Sequence, residues 1–355
     1  KQVVFIDVPG HEKLVKTMVA GASNIDAALL VIAADEGINV QTKEHFDVLQ
    51  ILGVKQGIVV LTKKDLVDEP RIADLKSEVR EYVQGTFLSH ASLIPVSAIT
   101  GSGIDEIKSA LLELAGRVED RYDSGIFRMP MDRVFTMSGF GTVIAGTVLS
   151  GDVKVEDRIE VYPEKLLSRV RRIHVHHKQA ERAKIGQRTA INLPDIKKGN
   201  LRRGQCAAHP GSLFPTSRLD GMLHLLKSFE KGLKNRTRIR LHIGTAEIIC
   251  RLALLDRDKL LPGDSAVVQL LLESPIVALP RDRFVIRTFS PLLTIGGGYI
   301  LDAQPGKHKR YDKEILAGLE MFNGDESSVA EQVFLQSGFF SQKASDVASR
   351  IGKSQ

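Results

Sequence analysis

Four continuously apolar segments, residues 3–6, 27–33, 58–61 and 93–96, alternate with helix-period stretches at 13–20, 42–52, 71–84 and 105–115. A strand that is apolar at every position buries both faces, so this alternation predicts a parallel sheet with helices on either side. In such sheets ligands bind beyond the carboxyl ends of the strands. Three of the apolar segments are closed by polar clusters: Asp7-Val8-Pro9-Gly10-His11-Glu12, Thr62-Lys63-Lys64-Asp65 and Ser97-Ala98. The topology therefore predicts that all three clusters meet on one rim.

Asp-x-x-Gly and [Asn/Thr]-Lys-x-Asp, each after a strand, are two of the loops by which GTP-binding domains hold nucleotide. Asp7 has the type and position to hold Mg²⁺ through water, and the N–H of Gly10 can swing to a γ-phosphate. His11 follows at the place where a side chain can orient an attacking water. Asp65 accepts two hydrogen bonds from the N1–H and exocyclic amine of guanine, a pair that adenine cannot offer. Lys63 would lay its stem along the base, Thr62 would brace the neighbouring loops, and Ser97-Ala98 would offer backbone N–H to the base carbonyl. Taken singly, these clusters also read as a Pro-Gly turn with a surface histidine and as a common dipeptide. The spacing of the first two together favours nucleotide. Gly-x-x-x-x-Gly-Lys-[Ser/Thr] does not occur, and the sequence opens at Lys1 inside the first predicted strand. The expectation is a truncated domain whose phosphate loop, first switch and first strand lie upstream, and which holds phosphates and Mg²⁺ poorly as it stands.

Beyond about residue 120 the texture changes to short period-two runs separated by Gly, Pro and Asp. Strands are predicted at 127–138, 142–149, 158–162, 168–177 and 188–193, forming one antiparallel barrel. A second series at 237–243, 247–255, 266–272, 283–289 and 293–301 predicts another, with a Pro-, Gly- and Ser-rich seam at 210–217. From Lys307 the pattern turns helical. Charge divides the same way. Residues 1–120 hold 12 basic and 18 acidic side chains, whereas the remainder holds 37 and 25, a net of +12 that suits a polyanion such as RNA. Cys206 and Cys250 are isolated thiols, which fits a reducing, cytoplasmic setting, and no apolar run approaches a bilayer's thickness.

These loops followed by two barrels resemble the translational GTPases. Several segments resemble, more narrowly, the selenocysteine-specific elongation factors. They are Thr62 where most relatives have Asn, 133–151 (RVFTMSGFGTVIAGTVLSG), 185–193 (IGQRTAINL), 243–247 (IGTAE) and 294–302 (TIGGGYILD). The resemblance implies an α/β P-loop GTPase domain over 1–120, barrels over 121–213 and 214–305, and the start of a winged-helix extension over 306–355. It implies GTP and Mg²⁺ as cofactors, and a cytoplasmic monomer without membrane contact. Its implied partners are selenocysteinyl-tRNA, the ribosome and, through a missing C-terminal part, an mRNA selenocysteine-insertion element at a recoded UGA. The family's aminoacyl pocket maps onto Asp132, Arg133 and Arg188. A selenol is anionic near neutral pH whereas the serine precursor is neutral, so two guanidinium groups oriented by Asp132 would select it by charge. The competing reading of Asp132 and Arg188 is a structural salt bridge. Competing readings of the whole chain are the GTPase subunit of ATP sulfurylase, a general aminoacyl-tRNA elongation factor, and a non-hydrolysing RNA scaffold.

Two further clusters have plain readings. His174, His176 and His177 lie among Arg171, Arg172 and Lys178, and alternation places His174 and His176 on one face with His177 opposite. A basic strand-and-turn edge suits them better than zinc. Gly296-Gly297-Gly298 lacks a following Lys-[Ser/Thr] and is expected to let strands of the second barrel close tightly.

Overall fold

The computed structural model describes residues 3–7, 25–118, 123–137 and 141–321. The chain divides into two compact units, Lys1–Asp120 and Arg121–Gln355. In the first, β1 (Ala28–Ala33), α1 (Val40–Ile51), β2 (Gly57–Thr62), α2 (Glu69–Tyr82), β3 (Leu93–Pro95) and α3 (Ile104–Arg117) alternate, and the strands form a parallel sheet in the order β1-β2-β3. The continuous apolar run of β2 is explained by its two faces. Val59 and Leu61 pack with Phe46 of α1 and with Ile72, Leu75 and Val79 of α2. Ile58 and Val60 point the other way, towards Ile107, Ala110, Leu111 and Leu114 of α3. Asn39 and Asp68 cap α1 and α2 by accepting from Thr42 N (2.8 Å) and Arg71 N (3.0 Å).

The segment 3–6, expected as a strand, is not one. Its four side chains are exposed and no residue of the sheet pairs with it among the described residues. An exposed apolar run without a neighbouring ladder leaves its backbone hydrogen bonds to water. The helical stretch 13–20, Gly10 and His11 lie outside the described residues.

The second unit opens with β4 (Arg128–Met137), β5 (Gly141–Thr147), β6 (Asp152–Lys154), β7 (Arg158–Tyr162), β8 (Leu166–Arg169), β9 (Arg172–Val175), β10 (Lys178–Ala180), β11 (Arg182–Lys184), β12 (Arg188–Leu193) and β13 (Cys206–Ala208). Eight of them form one sheet in the order β10-β9-β12-β5-β4-β13-β7-β8, while β6 and β11 pair as a separate ribbon. Residues of both the sheet and the ribbon, among them Met129, Ile144, Val153, Ile159, Ile173, Ala183 and Ile191, share one core. The run 168–177, expected as one strand, is broken at Val170-Arg171. The piece before the break pairs with β7 and the piece after it with β12.

The chain continues through β14 (Thr216–Leu225), β15 (Leu233–Lys234), β16 (Arg238–Ile243), β17 (Ala246–Leu254), β18 (Lys259–Leu260), β19 (Ser265–Ile276), β20 (Arg283–Thr288) and β21 (Thr294–Asp302), then α4 (Lys313–Met321). Six of these strands close a barrel in the order β14-β19-β17-β16-β20-β21. The strand absent from the sequence reading, β14, is the one that closes it. A Cβ at Gly296 or Gly298 would lie 2.4 Å from His224 O or 1.8 Å from Met222 O, so only glycine lets β21 come this close to β14. The two β-structures of this unit are fastened together. Arg128 donates to Asp282 through Nη1 (2.8 Å) and Nη2 (2.7 Å), beside an apolar seam of Ile126, Tyr162, Cys206, Leu213 and Leu279.

Candidate nucleotide rim and aminoacyl pocket

The carboxyl ends of β1, β2 and β3 lie together. Thr62 Oγ1 donates to Ile32 O (3.4 Å) and Lys64 N to Val96 O (3.0 Å), so the turn after β2 is braced from both sides. Lys63 adopts a left-handed backbone conformation (φ 59°) and directs Nζ to Asp35 (3.0 Å) and Glu36 (3.1 Å) of the turn after β1. The hydrogen bond to Asp35 raises the Lys63 pKa, and the same bond lowers that of Asp35. Asp35 and Glu36 escaped the sequence reading because their pairing depends on parallel neighbours in the sheet. Asp65 sits in a 3₁₀ turn, exposed, and its carboxylate has no hydrogen-bond partner among the described residues. Ser97 is buried, with Oγ accepting from Thr100 N (3.1 Å), whereas Ala98 is exposed. The structure thus brings Thr62, Lys63, Asp65, Ser97 and Ala98 onto one rim. Asp7 is exposed.

The basic pocket is assembled by a register shift. Met131 pairs with Gly146 and Arg133 with Ala145, so Asp132 is the extra residue of a β-bulge. Met131 and Val134 face the core, and Asp132 and Arg133 therefore both point outward, which ordinary alternation forbids. Arg188 stands on the outer face of β12, opposite Thr147. It spans β5 to make a bidentate ion pair with Asp132, through Nη1 to Oδ2 and through Nη2 to Oδ1 (2.9 Å). The Asp132 carboxylate stabilises the charged guanidinium. This pair occupies two of the five Arg188 donors, leaving three for an added acceptor. Arg133 is exposed and makes no ion pair among the described residues. On the same outer face Arg133, Ala145, Ala190 and His174 stand in one cross-strand row, so two alanines floor the space between a guanidinium and an imidazole.

The histidine cluster is arranged differently from its alternation. His176 and His177 have φ of 50° and 67° and form the two-residue turn between β9 and β10, where a strand's facing rule no longer applies. Only His174 keeps a strand position.

The plan is that of a nucleotide-binding α/β unit followed by two antiparallel β-domains. Family models match in the same order: the elongation factor Tu GTP binding domain over residues 1–117, elongation factor Tu domain 2 over 141–208, and the selenocysteine-specific elongation factor β-barrel domain over 220–307. The selenocysteine-specific elongation factor of Desulfomicrobium baculatum is 44% identical over 328 residues, covering 92% of this chain and 52% of that protein. A translation initiation factor 2 subunit gamma from Thermococcus onnurineus is 32% identical, covering 84% of this chain and 79% of its own length. The crystal structure of a bacterial selenocysteine-specific elongation factor superposes with a TM-score of 0.83 at 26% identity, over 98% of this chain and 56% of that one. The chain belongs to the translational GTPase family and groups within it with the selenocysteine-specific elongation factors. It spans about half the length of the curated selenocysteine-specific relatives that it matches. No helix among the described residues is long and apolar enough to cross a membrane.

Proposed function

We propose that the protein is a GTP-hydrolysing elongation factor that carries selenocysteinyl-tRNA to the ribosome for insertion at a recoded UGA. Its working parts are a GTP domain over 1–120, barrels over 121–213 and 214–305, and a C-terminal extension from 306. Asp65 reads guanine, Lys63 covers the base, Thr62 and Ser97-Ala98 shape its loops, and Gly10 senses the γ-phosphate. The free, exposed Asp65 carboxylate fits a donor-rich purine edge. Asp7 would hold Mg²⁺ through water, and the metal would supply charge stabilisation on the phosphates. His11 orients the hydrolytic water. The mRNA element is engaged through the extension, and the factor works as a cytoplasmic monomer.

The observation that carries this reading is the bulge that turns Asp132 and Arg133 outward beside Arg188. A barrel needs no such convergence of charge for its own core. Arg188 and Arg133 recognise an anionic selenolate, and Asp132 orients Arg188 toward it. In the full-length protein Arg188→Ala should weaken selenocysteinyl-tRNA binding far more than seryl-tRNA binding. A charge-assisted hydrogen bond is worth about 1.5–3 kcal/mol, or roughly ten- to a hundredfold in affinity. The tRNA body should keep a weak, salt-sensitive affinity. Equal loss for both tRNAs would assign Arg188 to the barrel or to the tRNA backbone instead.

A further inference from the structure

The chain leaves β21 and reaches α4 through residues 303–312, a strap laid over the outside of the closed barrel. Beneath it stands a polar row that a barrel surface would normally leave wet. Asp220 of β14 pairs in register with Gln269 of β19 on one side and with Asp302 of β21 on the other. Leu219 and Leu223 face the core, so Asp220 faces outward, yet Asp220 and Asp302 are fully buried. The strap buries them, and it is bonded to this row at several points. His308 Nε2 lies 2.5 Å from Asp220 Oδ2. Gln269 Nε2 donates to both Asp220 Oδ1 and Gly306 O, each at 2.9 Å, while Gln269 Oε1 accepts from His308 N (3.4 Å). Gln304 N donates to Asp302 Oδ1 (2.8 Å). Further along, Arg310 donates to Leu254 O and Arg257 O, and Tyr311 N to Leu255 O. Only then does α4 begin, laying Ile315, Leu316 and Leu319 against Met222, Leu255, Val267 and Leu301.

Two buried carboxylates in one row are costly unless a cation answers them. His308 reaches in to answer Asp220. We propose that protonated His308 is a latch: its charge seats the strap on Asp220 and so fixes where α4 docks, and loss of that proton loosens both.

The groups facing the imidazole are Asp220 of β14, Asp302 of β21, the uncharged Gln269 of β19, and Asp312 at the end of the strap. Burial opposes a charge on His308, but these carboxylates, Asp220 foremost, outweigh it and raise the imidazole pKa above its ordinary value. A raised pKa gives a definite sign. The latch is set below the free imidazole value of about 6.5, down to the range where Asp220, whose own pKa burial raises, takes up a proton, and it is lost as pH rises through the higher folded His308 value. A neutral imidazole can still donate to the Asp220 carboxylate, so deprotonation removes the ion pair and keeps a weaker hydrogen bond, a change worth about tenfold in opening equilibrium.

Amide hydrogen exchange on the full chain between pH 6 and 9, corrected for intrinsic rates, tests this. Protection at His308 and Tyr311 should fall about tenfold across one titration centred above the ordinary imidazole range, with β16 and β17 unchanged. His308→Gln, which keeps a donor but cannot titrate, should show low protection that is flat with pH. Should that variant fold poorly, NMR titration of His308 in the parent protein decides alone. A midpoint at or below 6.5 overturns the latch, as does strap protection that is flat with pH in the parent or falls equally in the variant.

Discussion

Replacing Asp282 by alanine should be among the most damaging single changes in the second unit. Its carboxylate accepts from Arg128 Nη1 (2.8 Å), Arg128 Nη2 (2.7 Å) and Leu279 N (2.8 Å). The two charged side chains are only 10% and 21% exposed. Burial opposes the Arg128 charge, and the Asp282 carboxylate outweighs it. Truncation leaves that guanidinium buried with no acceptor for either Nη, beside an Nε already lacking a partner. Breaking a buried pair from one side costs about 3–5 kcal/mol, a large share of the roughly 5–15 kcal/mol that holds an ordinary domain folded. Glu156→Ala breaks the exposed pair with Arg169 and should cost under about 1 kcal/mol. The chain has no Trp, so circular dichroism in a denaturant series is the suitable global probe. Hydrogen exchange at Ala207 and Ala208 separates this unit's opening from that of the N-terminal one. Replacing both partners by apolar residues of similar volume should recover most of the loss. If Asp282→Ala costs no more than Glu156→Ala, the buried pair does not fasten the two β-domains.

Asp65→Asn in the full-length protein should shift preference from GTP towards xanthosine triphosphate, because the amide donates where the carboxylate accepted. Nucleotide titration showing unchanged GTP affinity would remove Asp65 from the base site. Burial pushes the thiols of Cys206 and Cys250 up to about 11 and about 12. Neither should react with an aromatic disulfide reagent at pH 8 in the native protein, and both should react in denaturant. Rapid native labelling of either would contradict its buried position.

The parallel sheet was legible because β2 and β3 carry apolar side chains for both faces, a pattern that few other environments reward. Residues 3–6 share that pattern without a neighbouring ladder, which no local signal reports. β14 was missed because Gly221 leaves an inward position without an apolar side chain, and the register with β21 shifts at that point. Asp220 is buried only because residues far along the chain cover it. The turn at His176-His177 lacks the Gly or Asn that usually marks positive φ, and the break at Val170-Arg171 contains no turn residue at all. Asp132, Arg133 and Arg188 were found through family resemblance, and the structure adds the bulge that puts all three on one face. A one-residue insertion in a ladder leaves no reliable trace in hydrophobic pattern.

The most direct test is equilibrium binding of the full-length protein to selenocysteinyl-tRNA and to seryl-tRNA carried on the same tRNA body, with GTP and with GDP. The account predicts at least tenfold tighter binding of the selenocysteinyl form, with the preference strongest in GTP and reduced by Arg188→Ala. Equal affinity for the two aminoacyl forms with GTP bound would contradict it.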